Sequence, residues 1–201
     1  MKKLLLSTAA AATLVASALP AIAQSAGDYM LGFGLGYVDP KDDNLEVSGV
    51  GTIEVDSDVS LTFTAEYYYT DNLAIELLLA TPFSHDITLD GTKIGDTDHL
   101  PPTLSLNYHF NAIGAFRPFV GVGVNYTNFF QESSSLGKLE LDDSWGLAAT
   151  LGFEYDISER GALRLDVRYI DIDTDATLDG ASLGTVEIDP YVFTAAYVWK
   201  F

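Results

Sequence analysis

The chain has 201 residues, 48% hydrophobic content and no cysteine. That is enough for one domain, or at most two, and it excludes a disulfide framework and a thiolate metal site. Twenty-nine acidic against ten basic residues give a formal charge of −19, which argues against a nucleic-acid partner because phosphate recognition needs basic surface.

The first predicted element is a targeting segment. Lys2 and Lys3 precede an apolar stretch from Leu4 to Leu19, followed by Ala21-Ile22-Ala23. This order of charged region, apolar region and small-residue cleavage site is that of a secretory signal peptide over 1–23, leaving 24–201 as the mature chain. A retained membrane anchor is the alternative. Beyond this segment no stretch approaches the roughly 20 continuous apolar residues of a membrane helix, yet mean hydropathy is +0.16 and aromatics make up 12%. Apolar residues dispersed in short alternating runs suit a transmembrane β-barrel, whose lipid face takes every second position.

Eight such runs follow in chain order, at 28–38, 59–69, 73–82, 101–110, 116–129, 144–155, 161–172 and 190–201. Most are close to the roughly 9 to 11 residues of a tilted spanning strand. The connections "TDN" (70–72), "NAIGA" (111–115) and "DISER" (156–160) are tight, whereas 39–58, 83–100, 130–143 and 173–189 are long, polar and acidic. The expected fold is therefore all-β: an eight-stranded antiparallel transmembrane β-barrel with short periplasmic turns and long extracellular loops.

Parity assigns each run two faces. Outward positions include Tyr29, Tyr67, Tyr69, Tyr108, Phe110, Phe153, Tyr155, Trp199 and Phe201 near the short turns. Tyr37, Tyr126, Trp145, Tyr169 and Tyr191 lie near the long loops. Two aromatic belts around an aliphatic band match the two membrane interfaces. Inward positions divide by height. Glu66, Glu76, Asn107, His109, Glu154, Arg164, Asp166, Arg168 and Lys200 fall in the half nearest the short turns. Val38, Leu78, Ala80, Pro82, Phe129, Ile170, Ile172 and Val192 fall in the other half. The turn at Asp71 sets Glu66 opposite Glu76, and that at Glu159 sets Glu154 opposite Arg164. Facing carboxylates in a low-dielectric interior need a cation between them, and Arg164, Arg168 and Lys200 are the candidates. The lower half reads as a charge-paired plug, the upper half as an apolar cup for ligands. Eight strands leave room for little more than their own side chains or one small ligand. Pro82, Pro101 and Pro102 lack the N–H a ladder needs, so they either end strands or locally weaken pairing.

Other constellations carry less. Ser84-His85-Asp86 has triad residue types, but neighbours on an extended chain cannot form that relay. "DIDTDATLDG" (171–180) begins like a calcium loop, yet Ala176 stands where glycine is needed, and it reads as a solvated acidic loop. His85, Asp86, Asp96, Asp98 and His99 could gather a cation but lack fixed spacing. No catalytic group, metal or cofactor is assigned, and an enzyme is not expected.

The blocks "EYYYTDNLAIELLLATPFSHDI" (66–87), "LPPTLSLNYHF" (100–110), "RPFVGVGVNYTNFF" (117–130), "SWGLAATLGFEYDI" (144–157), "DVRYIDIDTDATLDG" (166–180) and "DPYVFTAAYVWKF" (189–201) occur in order. With them the chain closely resembles the outer membrane protein W family of Gram-negative bacteria. The resemblance implies an outer-membrane barrel with a narrow hydrophobic lumen for small apolar molecules. The ending with Tyr197, Trp199 and Phe201 resembles the signal read by the outer-membrane assembly machinery. Expected partners are outer-membrane lipid and lipopolysaccharide, that machinery and small hydrophobic ligands. The leading expectation is entry from outside into the cup and sideways exit into the membrane. The alternative is a non-transporting structural or interaction barrel that binds partners or cations through its acidic loops.

Overall fold

Alternation is what the backbone follows. The computed structural model describes residues 24–201, so the predicted signal peptide lies outside the described residues. The strands, in chain order, are β1 (Tyr29–Asp39), β2 (Leu45–Val47), β3 (Gly51–Val55), β4 (Asp58–Tyr68), β5 (Leu73–Ala80), β6 (Phe83–Leu89), β7 (Thr92–Leu100), β8 (Thr103–His109), β9 (Phe116–Ser134), β10 (Leu139–Leu141), β11 (Ser144–Asp156), β12 (Gly161–Ile170), β13 (Asp173–Leu178), β14 (Ala181–Glu187) and β15 (Tyr191–Lys200).

Eight of them, β1, β4, β5, β8, β9, β11, β12 and β15, pair antiparallel in that order, and β15 returns to β1 to close the barrel. They match the eight runs read from the sequence to within a few residues at each end. Closure continues to the last residue. Phe201 N donates to Tyr29 O at 2.9 Å, and Tyr29 N donates to Phe201 O at 3.3 Å. A closed ladder satisfies every internal backbone group without water, which is the condition for crossing a bilayer.

The outer face carries Leu31, Phe33, Leu35, Leu61, Phe63, Leu77, Leu104, Val122, Leu151 and Leu165, all exposed. In water this would be an aggregation surface; against lipid it is the required one. The belts meet as pairs. Tyr29 and Tyr67 lie 4.9 Å apart by ring centroid, and Tyr197 and Trp199 lie 4.3 Å apart, at the short-turn end. Tyr126 and Trp145 at 4.8 Å, with Tyr169 and Tyr191 at 5.6 Å, mark the other.

The four long connections depart from the irregular loops expected. β6 and β7 form a hairpin that continues onto β9 above β8, with β3 and β2 added at its edge. β10, β13 and β14 form a separate small sheet. "DIDTDATLDG" is accordingly a strand leading into a hairpin. The physical reason is turn chemistry. Asp90-Gly91 (φ 49° and 75°) and Asp179-Gly180 (φ 50° and 80°) take the paired positive φ values that a two-residue hairpin turn demands. The wall thus rises well above the membrane band.

Candidate functional site

The lumen is closed from below by a knot of charge. Glu66 on β4 faces Glu76 on β5, and Glu154 on β11 faces Arg164 on β12, as the turns dictate. Arg164 joins all three carboxylates. Its Nη1 donates to Glu76 and its Nη2 to Glu66, while Glu154 Oε1 accepts from Nε at 3.1 Å and from Nη2 at 2.5 Å. Arg168 Nη2 holds the other oxygen of Glu76 at 2.7 Å, and its Nε donates to Thr150 Oγ1 at 3.0 Å. His109 Nε2 lies 2.8 Å from Glu66 Oε1, to which Asn107 Nδ2 also donates at 3.0 Å. The guanidinium of Arg164 sits 5.0 Å over the Phe119 ring, and that ring stacks on His109. All of these side chains are buried. A planar fork with five donors is the one side chain suited to three converging carboxylates.

Two residues expected in this plug stand apart from it. Lys200 pairs with Asp156 on β11, at the short-turn rim, because the last residue of β15 lies too low to reach the knot. Asp166 lies between the two arginines on β12, is only half-buried, and makes no ion pair among the described residues. The sequence reading omitted Arg117. It is buried and lies opposite Glu154 on β9. Parity marks it as inward, but it stands one residue from a strand end, where parity is least secure.

Above the knot lies apolar packing. Val38, Phe129, Ile170, Ile172 and Val192 join Phe83, Ala148, Ala176, Val186 and Ile188 in one buried cluster, with Ala80 at its edge. Leu78 is buried but outside this cluster, and Pro82 is exposed. The Pro82 placement corrects the cup as read from parity. Thr81 and Pro82 form a two-residue break between β5 and β6 that shifts the alternation, so Phe83 takes the inward place.

Four members of the cluster, Phe129, Ala176, Val186 and Ile188, form one wall of a cavity of about 220 Å³, whereas Val38, Leu78, Ala80, Ile170, Ile172 and Val192 do not line it. Its other walls come from the raised hairpins, through Ile53, Val55, Ile87, Leu89, Leu139, Leu141, Leu178 and Leu183. Most of the cup is therefore built by segments that read as polar loops. His85 and His99 line it too, their rings stacked at 4.8 Å. Their neighbours in the triad-like run and in the weak acidic grouping read from the sequence do not accompany them. Ser84 is exposed, and Asp86 is held by Lys93 at 2.5 Å with Asp96 alongside. Alternation separates Ser84 and Asp86 from the imidazole of His85.

The wall beside the cup is interrupted. The β5–β8 ladder ends at Leu78 opposite Thr103, and the β6–β7 ladder starts at Phe83 opposite His99. No ladder pair joins residues 79–82 to 100–102 among the described residues, and three of these seven are prolines. The carbonyls here turn to side chains of flanking strands. Asn125 Nδ2 donates to Pro101 O at 3.1 Å and Pro102 O at 3.2 Å, and Ser60 Oγ donates to Thr81 O at 3.1 Å and Pro82 O at 3.0 Å.

Comparison with known proteins gives one answer. The model of the OmpW family matches residues 25–201. Outer membrane protein W of Vibrio cholerae is 41% identical over 203 residues, covering 92% of this chain and 94% of that one. The crystal structure of the outer membrane protein OprG from Pseudomonas aeruginosa superposes with a TM-score of 0.76 at 35% identity, covering 88% and 97% of the two chains. The dibenzothiophene metabolism operon protein PahQ of Pseudomonas aeruginosa is 29% identical over 132 residues, 63% of each chain.

Proposed function

As the chain belongs to the OmpW family and forms an outer-membrane barrel, we propose that it passes small hydrophobic molecules from outside into the apolar cavity and releases them sideways into the bilayer. The observation that supports this reading best is the position of the cavity. It lies above a closed charged floor and next to the one stretch where β5 and β8 part. An apolar molecule in the cup would pay heavily to cross buried charge, while the interrupted wall lies level with Tyr126, at the outer edge of the membrane band. The name of PahQ ties that relative to dibenzothiophene, an apolar aromatic compound. Outer-membrane lipid surrounds the barrel, and we assign lipopolysaccharide to the raised hairpins and the assembly machinery to the terminal Tyr197, Trp199 and Phe201. The alternative expected from the sequence, a barrel that only binds partners or cations, has one feature in its favour. Asp171, Asp173 and Asp189 converge at the surface, although Lys41 already neutralises Asp189 at 3.3 Å.

Flux of naphthalene and of glucose into liposomes carrying the barrel tests the reading. Naphthalene entry above that of empty liposomes, lowered by Phe129→Asp in the cavity wall, is expected, with no glucose entry. Equal naphthalene flux with and without the barrel would leave the binding reading instead.

A further inference from the structure

The cavity is apolar but for two histidines and three hydroxyls, those of Thr97, Ser134 and Thr174, which already bond to backbone groups. His85 and His99 are both buried, 1% and 3% exposed, and stack on each other at 4.8 Å; Phe83 stacks at 6.3 Å from the first and 5.5 Å from the second, and Phe129 is tilted against His99. A stacked ring offers hydrogen bonds only from its edge. His85 Nδ1 lies 2.5 Å from Asp56 O. A carbonyl only accepts, so Nδ1 carries the proton, and in the neutral ring Nε2 is left as a bare acceptor. Among the described residues that Nε2 has no partner, and neither nitrogen of His99 has one. Stacked rings cannot serve each other, because their donors and acceptors lie in parallel planes. Burial holds both imidazoles neutral, lowering the pKa of His85 and taking that of His99 to about 3.

A buried polar group left without a partner is unfavourable, and an apolar pocket uses its few polar groups to orient what it binds. A cation is a poor occupant, since among the described residues no carboxylate lines the cavity and a desolvated charge needs one. A molecule with an apolar body and a single hydroxyl suits it better. The body fills a volume somewhat above the roughly 150 Å³ in which an apolar protein cavity binds benzene, and the O–H reaches a nitrogen. We infer that His85 and His99 form a polar recognition point in the cup, selecting hydroxylated aromatic or short aliphatic molecules over the parent hydrocarbons. This rests on the cup being the solute site.

The pair naphthalene and 2-naphthol tests it, since they share a body and differ by the hydroxyl. In lipid nanodiscs, with empty nanodiscs as control, amide shifts of Ile87, Thr97 and Phe129 report occupancy. The wild-type barrel should bind 2-naphthol about five- to tenfold tighter, as one net hydrogen bond allows. His85→Phe or His99→Phe should reduce the ratio of the two affinities. Equal affinities in the wild type, which needs no variant to fold, would overturn the inference and leave the cup intact as an apolar site. A preference that survives in both folded variants would also overturn it. No shift with either compound would instead remove the cup reading itself, and this inference with it.

Discussion

Glu66 and Glu76 face each other across the β4–β5 hairpin, and both carboxylates end on the guanidinium of Arg164 from the far side of the lumen. One side chain thus ties β12 to β4, β5 and β11 at once. Two facing carboxylates would otherwise repel in an interior without water to screen them. Replacing Arg164 by alanine leaves three buried carboxylates, with Arg168 holding Glu76 and Arg117 opposite Glu154 as the remaining arginines. Breaking such a network costs about 3 to 5 kcal/mol. The expected result is a clearly lower unfolding temperature for Arg164→Ala, with cavity affinity for an apolar probe unchanged. A polar conductance with unaltered stability would make the knot a gate across a through-pore.

The register behind this network is legible in the sequence. A strand alternates with a period of two, and a tight turn fixes which residues meet, so "EYYYTDNLAIE" alone puts Glu66 against Glu76. The raised hairpins are harder to read. Their outward positions are acidic and their inward ones modest in size, as in "LEVSGVGTIEV" (45–55), so composition hides the alternation. The Asp-Gly pairs at 90–91 and 179–180 were the available signal. Pro82 is misplaced by parity because no sequence rule says how many residues a proline break consumes. The partner of Lys200 depends on how far down the barrel β15 ends, which alternation does not encode.

Acid should loosen the β6–β7 hairpin. His99 takes up a proton near pH 6.5 when unfolded, but burial lowers its pKa to about 3 in the fold, and His85 shifts the same way. Asp56, Asp58 and Asp98 oppose the shift of His85, and burial outweighs them. Depressed histidines contribute stability in full above about pH 6.5 and lose it as pH falls toward 3, because the unfolded chain binds the proton first. Hydrogen-exchange protection of Ile87 and Thr97 should therefore fall between pH 7 and pH 4.5, and less so in His99→Phe. Protection that stays level over this range would contradict the argument.

The proposed assembly role of the chain terminus can be separated from its structural one. The backbone of Phe201 closes the seam with Tyr29, while its ring is 67% exposed at the interface belt. Phe201→Ala keeps the backbone bonds and removes only the ring. Reduced yield of heat-modifiable barrel in cells, with normal refolding into detergent, is the expected outcome. Equal yield in cells would remove the assembly role from this ring.

The break between β5 and β8 is where sideways release stands or falls. Extending the β5–β8 register upward sets Ala80 opposite Pro101, so Ala80→Cys with Pro101→Cys places a removable bridge across it. Naphthalene flux into liposomes should drop strongly when the bridge is oxidised and return on reduction, while each single cysteine behaves as wild type. Undiminished flux through the fully oxidised barrel would contradict lateral exit.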